Sequence, residues 1–257
     1  MKKIFISVIS HNHANMIKNM GVLKRLALYC NVVVRSNVNE DIQEYCSEHG
    51  IIYINPSVVM GFGENNNIVF SYCVNYLGMG ENDIFIVLNP DVDIEWRTIL
   101  SVATKMDAND IDLATINLYR DYNMVAYDNS VRKFPNFLTF ISSYLGFGNK
   151  TILDKSKINE DCLVDWAAGS FLAIRASLYK KIEGFDIKYF MYCEDIDLCY
   201  KAQCAGHGLM YFPSLKAVHL AQHANRRLFS IHFIWHVKSA IRFLIKKVVS
   251  DVKRKIK

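Results

Sequence analysis

Hydrophobic and polar positions follow two patterns in the first 120 residues. Short, β-branched, apolar runs are typical of strands, and longer segments with helical spacing lie between them. The predicted strands are 3–10, 31–36, 51–55, 83–89 and 110–117. The predicted helices are 15–29, 39–50 and 64–78. Strands that alternate with helices predict an α/β fold with a mainly parallel sheet covered on both faces, and ligands of such sheets bind where the strands end.

The pattern is weaker over 118–165 and becomes regular again after it. The run DWAAGSFLAIRAS (165–177) is interpreted as a buried loop followed by a strand, and 195–205 as a helix. The last two predicted strands are GLMYFP (208–213) and KAVHL (216–220).

The charge of the chain is concentrated at its C-terminus. The net charge is +5, but 226–257 hold ten Lys or Arg and one acid, whereas 1–225 carry a net charge of −4. With 51% hydrophobic residues, we expect one domain with a large core over 1–225 and a basic, helical segment over 226–257. A basic segment suits an anionic membrane or nucleic acid. Since the acidic body carries no recognised nucleic-acid-binding motif, we expect no nucleic-acid partner.

The cysteines and the N-terminus predict a cytoplasmic protein. Seven cysteines form no CxxC pair and no zinc-like spacing, which indicates reduced thiols. The opening MKKIFISVIS is too short in its apolar run for a signal peptide and meets HNHAN rather than a cleavage site. No stretch approaches the roughly 20 apolar residues that span a bilayer.

Three acids follow an aromatic run within YFMYCEDID (189–197): Glu194, Asp195 and Asp197. Acids in the first turn of a helix complement its dipole and can cap its free amides. Alternatively, a half-buried carboxylate gains basicity and can abstract a proton. The residue pattern alone leaves both interpretations open.

The fourth predicted strand ends in NPD (89–91), and Asp93 follows. Carboxylates at the mouth of a parallel sheet suit a hard divalent cation that also holds phosphates, although Asn-Pro-Asp also forms a turn on its own. His219 is either a hydrogen-bonded core residue or, with Asp91, part of a mixed N/O site that accepts Mn²⁺. Arg226 follows in HANRR, where a guanidinium can grip a diphosphate.

The stretch MGFGENNNIVF (60–70) has two glycines and then three asparagines. Asn66 stands where the dinucleotide motif needs its third glycine. Backbone amides at the start of a helix could still bind a phosphate or a base edge. A helix capped by asparagine explains the same residues.

Several of these segments occur in one order: VISHN, GFGENNN, LNPDV, VRKFP, DWAAGSF, GFDIKYFMYCEDIDLC and AVHLAQH. Together they resemble a bacterial family-2 glycosyltransferase with a GT-A fold, in which helices flank a mixed, mainly parallel sheet. More narrowly, they are similar to the rhamnosyltransferases that act on polyprenyl-diphosphate sugars in O-antigen and related polysaccharide assembly. The resemblance covers nearly the whole chain, and 165–223 is its most specific part.

The resemblance implies an inverting transfer of L-rhamnose from dTDP-β-L-rhamnose to polyprenyl-diphosphate-linked GlcNAc, or use of another nucleotide-sugar donor. Asp195 then corresponds to the catalytic base, supported by Glu194, and Asp91 with His219 corresponds to a site for Mg²⁺ or Mn²⁺. The implied contacts of the nucleotide sugar are Ser10, His11, Asn37, Asn67, Asn89 and Arg226. The implied acceptor contacts are Trp166, Gly169 and Ser170.

Two positions depart from the family pattern. Ser36 stands in place of the nucleoside-contacting aspartate, so a base or ribose contact is lost or replaced. Asn89 replaces the first acid of the DxD motif, which leaves Asp91 as the metal-binding carboxylate. Both departures would fit an inactive, membrane-associated, sugar-binding relative, but the intact Glu194-Asp195 pair argues against it. A sugar nucleotidyltransferase would need a Gly-rich, basic loop after the first strand, and SHNHANM is not one.

The basic tail combines two stripes at helical spacing. The apolar stripe is Ile234, Val237, Ile241, Leu244, Val248, Val252 and Ile256. The basic stripe is Lys238, Arg242, Lys246, Lys253 and Lys257. A helix lying in an anionic membrane interface has this profile, as does a helix packed on its own domain with a solvated basic face. The implied polyprenol acceptor favours the membrane, so we expect a peripheral protein on the inner face of the bacterial plasma membrane.

Overall fold

The computed structural model describes residues 2–56, 58–137, 139, 151–220 and 231–256. The strands in these ranges are β1 Ile4–Ser10, β2 Asn31–Ser36, β3 Ile52–Ile54, β4 Ile84–Leu88, β5 Val92–Asp93, β6 Leu113–Tyr119, β7 Val131–Arg132, β8 Cys162–Val164, β9 Trp166–Ala167, β10 Phe171–Arg175 and β11 Leu209–His219. The helices are α1 Ala14–Met20, α2 Val22–Ala27, α3 Gln43–Glu48, α4 Phe62–Tyr76, α5 Trp96–Ala108, α6 Ala176–Lys181, α7 Glu194–Cys204 and α8 Ile231–Ile256. A single 3₁₀ turn in the same ranges spans Lys155–Lys157.

The central sheet is mixed and mainly parallel, as the sequence predicts. Its strand order is β3-β2-β1-β4-β10-β6-β11-β5, and β8 pairs with β11 outside this path. The strands β1, β2, β3, β4, β6 and β11 share one direction, and β10, β8 and β5 run against them. The strand β10 therefore lies between β4 and β6, and it brings the end of 165–170 to the edge where the parallel strands end.

Each face of the sheet carries its own hydrophobic core. Phe85 and Val87 of β4 face a core shared with α4, α6, α7 and α8. Ile84 and Ile86 face the opposite core, which α1, α2, α3 and α5 cover. The alternation of these four side chains explains why β4 is apolar at every position, since both faces of the strand are covered. The predicted doubly covered sheet is thus confirmed.

Two local predictions differ from the structure, and one helix is additional to those predicted. The predicted helix 15–29 is two helices, because Gly21 adopts a left-handed conformation with φ of 61° and its amide donates to Ile17 O. The two short strands predicted at 208–220 form one strand, β11, whose register against β6 shifts between Phe212 and Lys216. Pro213, which has no amide hydrogen to donate to the ladder, lies in the shift. The helix α5 was not predicted.

The C-terminal helix α8 contributes to the domain core. Ala240, Phe243 and Leu244 are buried, so Leu244 faces the body of the protein and does not belong to the exposed stripe that the sequence predicts. Lys246 is also turned inward, since it forms an ion pair with Asp197. Among the side chains of α8 that the structure describes, which exclude Ile256 of the predicted stripe, the exposed apolar ones are Ile234, Ile241, Ile245, Val248, Val249 and Val252. In the described part of the chain, no helix combines the length and apolar character needed to cross a membrane.

Candidate active site

The acids of α7 follow a strained turn. Tyr192 and Cys193 have φ of 69° and 65°, a left-handed conformation that side chains with a Cβ disfavour by about 1 kcal/mol or more each. The helix α8 packs against this turn. Ser239 Oγ donates to Met191 O at 3.0 Å, and the ring centroids of Tyr192 and His236 lie 5.2 Å apart. The aromatic run before the acids therefore anchors the turn that presents them.

Asp195 is half-buried at the start of α7. Its Oδ2 accepts a hydrogen bond of 3.1 Å from the Gly169 amide, and its Oδ1 accepts one of 2.8 Å from the Ile196 amide. Burial raises the pKa of Asp195, although these two amides and the charge of Arg132 act in the opposite direction. The result is a carboxylate with raised basicity and fixed orientation, which is what a general base requires.

Glu194 and Asp197 differ in their partners. Glu194 is only 6% exposed, and its Oε2 is buried without a hydrogen-bond partner among the described residues. Burial and the adjacent charge of Asp195 both raise the pKa of Glu194. Asp197 is fully buried, but Lys246 Nζ lies 2.6 Å from its Oδ1. The cap position of α7 is Cys193, whose side chain caps no amide. All three acids lie in the first turn, where they complement the helix dipole, and Asp195 also binds the Ile196 amide of that turn.

The loop 166–170 positions Asp195. A Cβ at Gly169 would lie 2.9 Å from a ring carbon of Phe62, so any larger residue would displace that ring beside Asp195. Trp166 is buried, and its Nε1 donates to Lys133 O at 2.9 Å. Ser170 Oγ is buried with no partner among the described residues, and Ser170 O accepts from the Asn89 amide at 3.0 Å. The loop thus joins the acids of α7 to the end of β4.

Asp91 and His219 meet where β5 pairs with β11. His219 Nε2 lies 3.3 Å from Asp91 Oδ1, and His219 Nδ1 lies 3.2 Å from Asp128 Oδ2. Burial opposes a charge on His219, but its contacts with the carboxylates of Asp128 and Asp91 outweigh it and raise its pKa to about 9. A cation bound at Nε2 would therefore displace a proton from the imidazole. Sequence reasoning missed Asp128, because it lies 91 residues from His219 in the chain.

The pair of Asp91 and His219 fits two ligands of one divalent cation. Asp91 Oδ1 is buried and accepts no hydrogen bond from the described residues. Octahedral ligands about 2.1 Å from Mg²⁺ lie about 3 Å from one another, close to the observed 3.3 Å. Within the described ranges, no group of three or more His, Cys, Asp or Glu could hold a metal, so phosphates and water would complete the shell. Asp93 lies apart, paired with Arg25 at 2.8 Å.

The ends of β1 and β2 form a polar edge. Ser10 Oγ donates to Glu40 Oε2 at 2.9 Å, and the Ala14 amide donates to the same oxygen. Glu40 Oε1 and Ser36 Oγ are buried without partners among the described residues. Glu40, which the sequence interpretation missed, thus places a carboxylate at this edge.

The other predicted donor contacts mostly hold loops together. The side chain of Asn37 exchanges hydrogen bonds with the amide and carbonyl of Met60. Asn67 accepts from Tyr179 Oη and the Phe185 amide, and it donates to Phe185 O. The side-chain amide of Asn67 therefore holds neighbouring parts of the chain together. His11 is exposed at the edge, and the predicted contact Arg226 lies outside the described residues.

The comparisons with known sequences identify close relatives. No family model matches the chain. The chain is 38% identical over 249 residues to the rhamnosyltransferase WbbL of Escherichia coli K12, covering 95% of this chain and 93% of that protein. It is 40% identical over 81 residues to the N-acetylglucosaminyl-diphospho-decaprenol L-rhamnosyltransferase of Mycobacterium tuberculosis, covering 32% of this chain and 26% of that protein.

The comparisons with solved structures identify the fold. GalNAc-T7, solved with UDP, GalNAc and Mn²⁺, matches with a TM-score of 0.65 at 14% identity over 94% of this chain and 47% of that chain. S. aureus TarS 1-349 in complex with UDP-GlcNAc matches with a TM-score of 0.62 at 14% identity, over 94% of this chain and 65% of that one. These are GT-A glycosyltransferases. The chain has the same fold, and it belongs to the rhamnosyltransferase family of glycosyltransferases.

Proposed function

We propose that the enzyme transfers L-rhamnose from dTDP-β-L-rhamnose, with inversion, to GlcNAc linked to a polyprenyl diphosphate, in O-antigen or cell-surface polysaccharide synthesis. The observation that carries this proposal is Asp195, a half-buried carboxylate held by the Gly169 amide at 3.1 Å. The names of the two rhamnosyltransferase relatives support the sugar and the acceptor.

The proposed reaction is a single displacement. Asp195 takes the proton of an acceptor hydroxyl as that oxygen bonds to the anomeric carbon. The bond from that carbon to the diphosphate oxygen breaks at the same time, and its electron pair leaves with the diphosphate. Glu194, next to Asp195 in the chain, is buried with no hydrogen-bond partner for its Oε2 among the described residues, and burial and the charge of Asp195 raise its pKa. A protonated Glu194 adds no second negative charge beside the base.

We assign Asp91 and His219 to a site for Mg²⁺ or Mn²⁺. The buried Oδ1 of Asp91, which lies 3.3 Å from His219 Nε2, supports this assignment. A cation held there would neutralise charge that develops on the leaving diphosphate. At the other end of the donor, the edge formed by Ser10 and Glu40 is proposed to face the nucleoside, with His11 beside it.

We propose that α8 holds the enzyme on the cytoplasmic face of the plasma membrane. Its exposed apolar side chains extend from Ile234 to Val252, about 27 Å along the helix. The segment 226–257 carries a net charge of +9, which suits anionic phospholipid headgroups. This surface would bring the active site close to a lipid-linked acceptor.

The first test is transfer from a panel of nucleotide sugars, including dTDP-β-L-rhamnose, to a synthetic GlcNAc-diphosphoryl lipid. Wild type and Asp195→Asn are assayed with and without a chelator. We expect a rhamnosylated lipid from wild type alone, and loss of product in the chelator. A product with a different donor would correct the sugar. No product from a folded wild type with any donor would favour another acceptor or the inactive relative.

The membrane proposal has a separate test. Wild type should sediment with vesicles that contain phosphatidylglycerol and much less with phosphatidylcholine vesicles. Val248→Asp, in the middle of the exposed stripe, should weaken this binding and leave transfer to a water-soluble acceptor analogue unchanged. Equal sedimentation of wild type and Val248→Asp would contradict the assignment of this surface.

A further inference from the structure

A hairpin returns Asp128 to the end of β6. The bridge between Tyr119 and Tyr127 closes this hairpin, and the Asp128 amide donates to Leu118 O at 3.0 Å. Since β6 pairs with β11, with Tyr119 opposite Val218, the hairpin places Asp128 beside the last residue of β11, His219.

The strand β5 brings Asp91 to the other side of the same histidine. Val92 is the register partner of His219, and the Leu220 amide donates to Asp91 O at 3.1 Å. The three side chains form a buried row: those of Asp91, His219 and Asp128 are 14%, 12% and 13% exposed. The carboxylates of Asp91 and Asp128 lie 3.3 and 3.2 Å from opposite nitrogens of the His219 imidazole.

A buried lysine supports the far end of this row. Lys155 is 4% exposed, and its Nζ donates to Leu118 O at 2.9 Å, the same carbonyl that receives the Asp128 amide. Lys155 and the Asp128 amide therefore bind one carbonyl, which holds Asp128 in place in the hairpin.

We propose that Asp128 is a positioning residue for the cation site: it accepts the Nδ1–H of His219 and so fixes the imidazole with Nε2 directed at Asp91 and the ion. This inference rests on the cation site assigned in the proposed function. Imidazole ligands of metals commonly donate their other ring N–H to a carboxylate, which sets both the tautomer and the ring orientation. Asp128 is the carboxylate in that position here.

The test measures Mn²⁺ affinity directly, by electron paramagnetic resonance of free Mn²⁺ in titrations with dTDP present. Asp91→Ala and His219→Ala should abolish stoichiometric binding. Asp128→Ala should weaken it about 10- to 100-fold. Asp128→Asn keeps an acceptor but loses the charge, so we expect roughly fivefold weaker binding. Asp93→Asn, two residues from Asp91 and paired with Arg25, is the matched control and should bind Mn²⁺ as wild type does.

Melting temperature and dTDP binding without metal separate positioning from general damage. Both should stay close to wild type in Asp128→Asn, which decides the question if Asp128→Ala does not fold. Unchanged Mn²⁺ affinity in a folded Asp128 variant would overturn the proposal. A wild type that binds no Mn²⁺ and still transfers sugar would overturn it together with the cation site, while the transferase would stand. Mn²⁺ binding with the expected variant pattern, but no transfer, would support the role of Asp128 and contradict the proposed substrates.

Discussion

The asparagines of α4 and the acids of α7 are two runs of three polar residues near the start of a helix, and both lie beside the strand ends. Every asparagine has partners: Asn65 bonds to Arg35 and Asn37, Asn66 to Ser7, and Asn67 to Phe185. The three acids differ in their partners. Among the described residues, Asp197 is paired with Lys246, Glu194 keeps a buried oxygen without a hydrogen-bond partner, and Asp195 accepts hydrogen bonds from two backbone amides.

The difference between the two runs distinguishes polar residues that stabilise the packing from a residue that can react with a substrate. A buried polar group whose hydrogen bonds are complete stabilises one arrangement of the chain. A carboxylate that is partly desolvated and not neutralised by a cation keeps its basicity for a substrate. By this criterion the asparagines hold α4 to its neighbours, Asp197 holds α8 to α7, and Asp195 is the acid that we propose for catalysis.

The largest expected effect is that of Asp195→Asn on transfer. An amide cannot take the acceptor proton, so kcat should fall by about 10²–10⁴-fold. Thermal unfolding should change little, because Asn keeps an oxygen for the Gly169 amide. Glu194→Gln is the matched comparison, and it should retain much more activity because the residue does not receive the proton. Comparable rates for Asp195→Asn and wild type would return the acids to a structural role.

The next effect concerns the buried ion pair. Lys246→Met leaves Asp197 charged and fully buried without its cation, so the free energy of unfolding should fall by about 3 kcal/mol, the lower end for a broken buried pair. The lower end is chosen because the Lys246 side chain is 35% exposed. Chemical denaturation measures the loss. Lys238→Met, at an exposed position of the same helix, should stay within about 0.5 kcal/mol of wild type.

Adding Asp197→Asn to Lys246→Met sharpens this test. The double variant removes the unpaired charge, so it should recover part of the stability that Lys246→Met loses. Purely additive losses would mean that the two residues do not stabilise each other, and α8 would then be held by its apolar contacts alone.

The sequence predicts the elements and the candidate base, but not the partners of the polar residues. The strands β1, β2, β4 and β6 are recognisable because burial on both faces demands continuous apolar runs. Asp195, Asp91 and His219 could be proposed from ordered motifs. The partnership of Lys246 with Asp197 spans 49 residues and arises only when α8 docks, so the spacing of a basic stripe cannot reveal it. The same holds for Glu40, whose link to Ser10 depends on how the loop after β2 folds back.

The pH dependence of transfer tests the state of the acid pair. Burial raises the pKa of Asp195, and burial with the charge of Asp195 raises that of Glu194. The base must be ionised, so activity should be lost as the pH falls through an apparent pKa that lies above the usual value of about 4 for an aspartate. Below that point kcat/KM should fall about tenfold per pH unit. An acidic limb at the ordinary aspartate value would show that Asp195 is solvated during catalysis.

The smallest expected effect comes from the asparagine run. Asn66→Ala removes the acceptor of the Ser7 hydroxyl, a bond of 2.7 Å between two buried residues. The free energy of unfolding should fall by about 1–2 kcal/mol, while kcat/KM below the melting transition stays near that of wild type. Asn75→Ala, exposed on the same helix, should leave both quantities unchanged. The double variant Ser7→Ala/Asn66→Ala should lose less free energy of unfolding than the sum of the two single changes. Once both partners are removed, neither the Ser7 hydroxyl nor the Asn66 side-chain oxygen is left buried without the other. A large loss of transfer in stable Asn66→Ala would instead assign the asparagine run to the donor site and remove the distinction between the two runs.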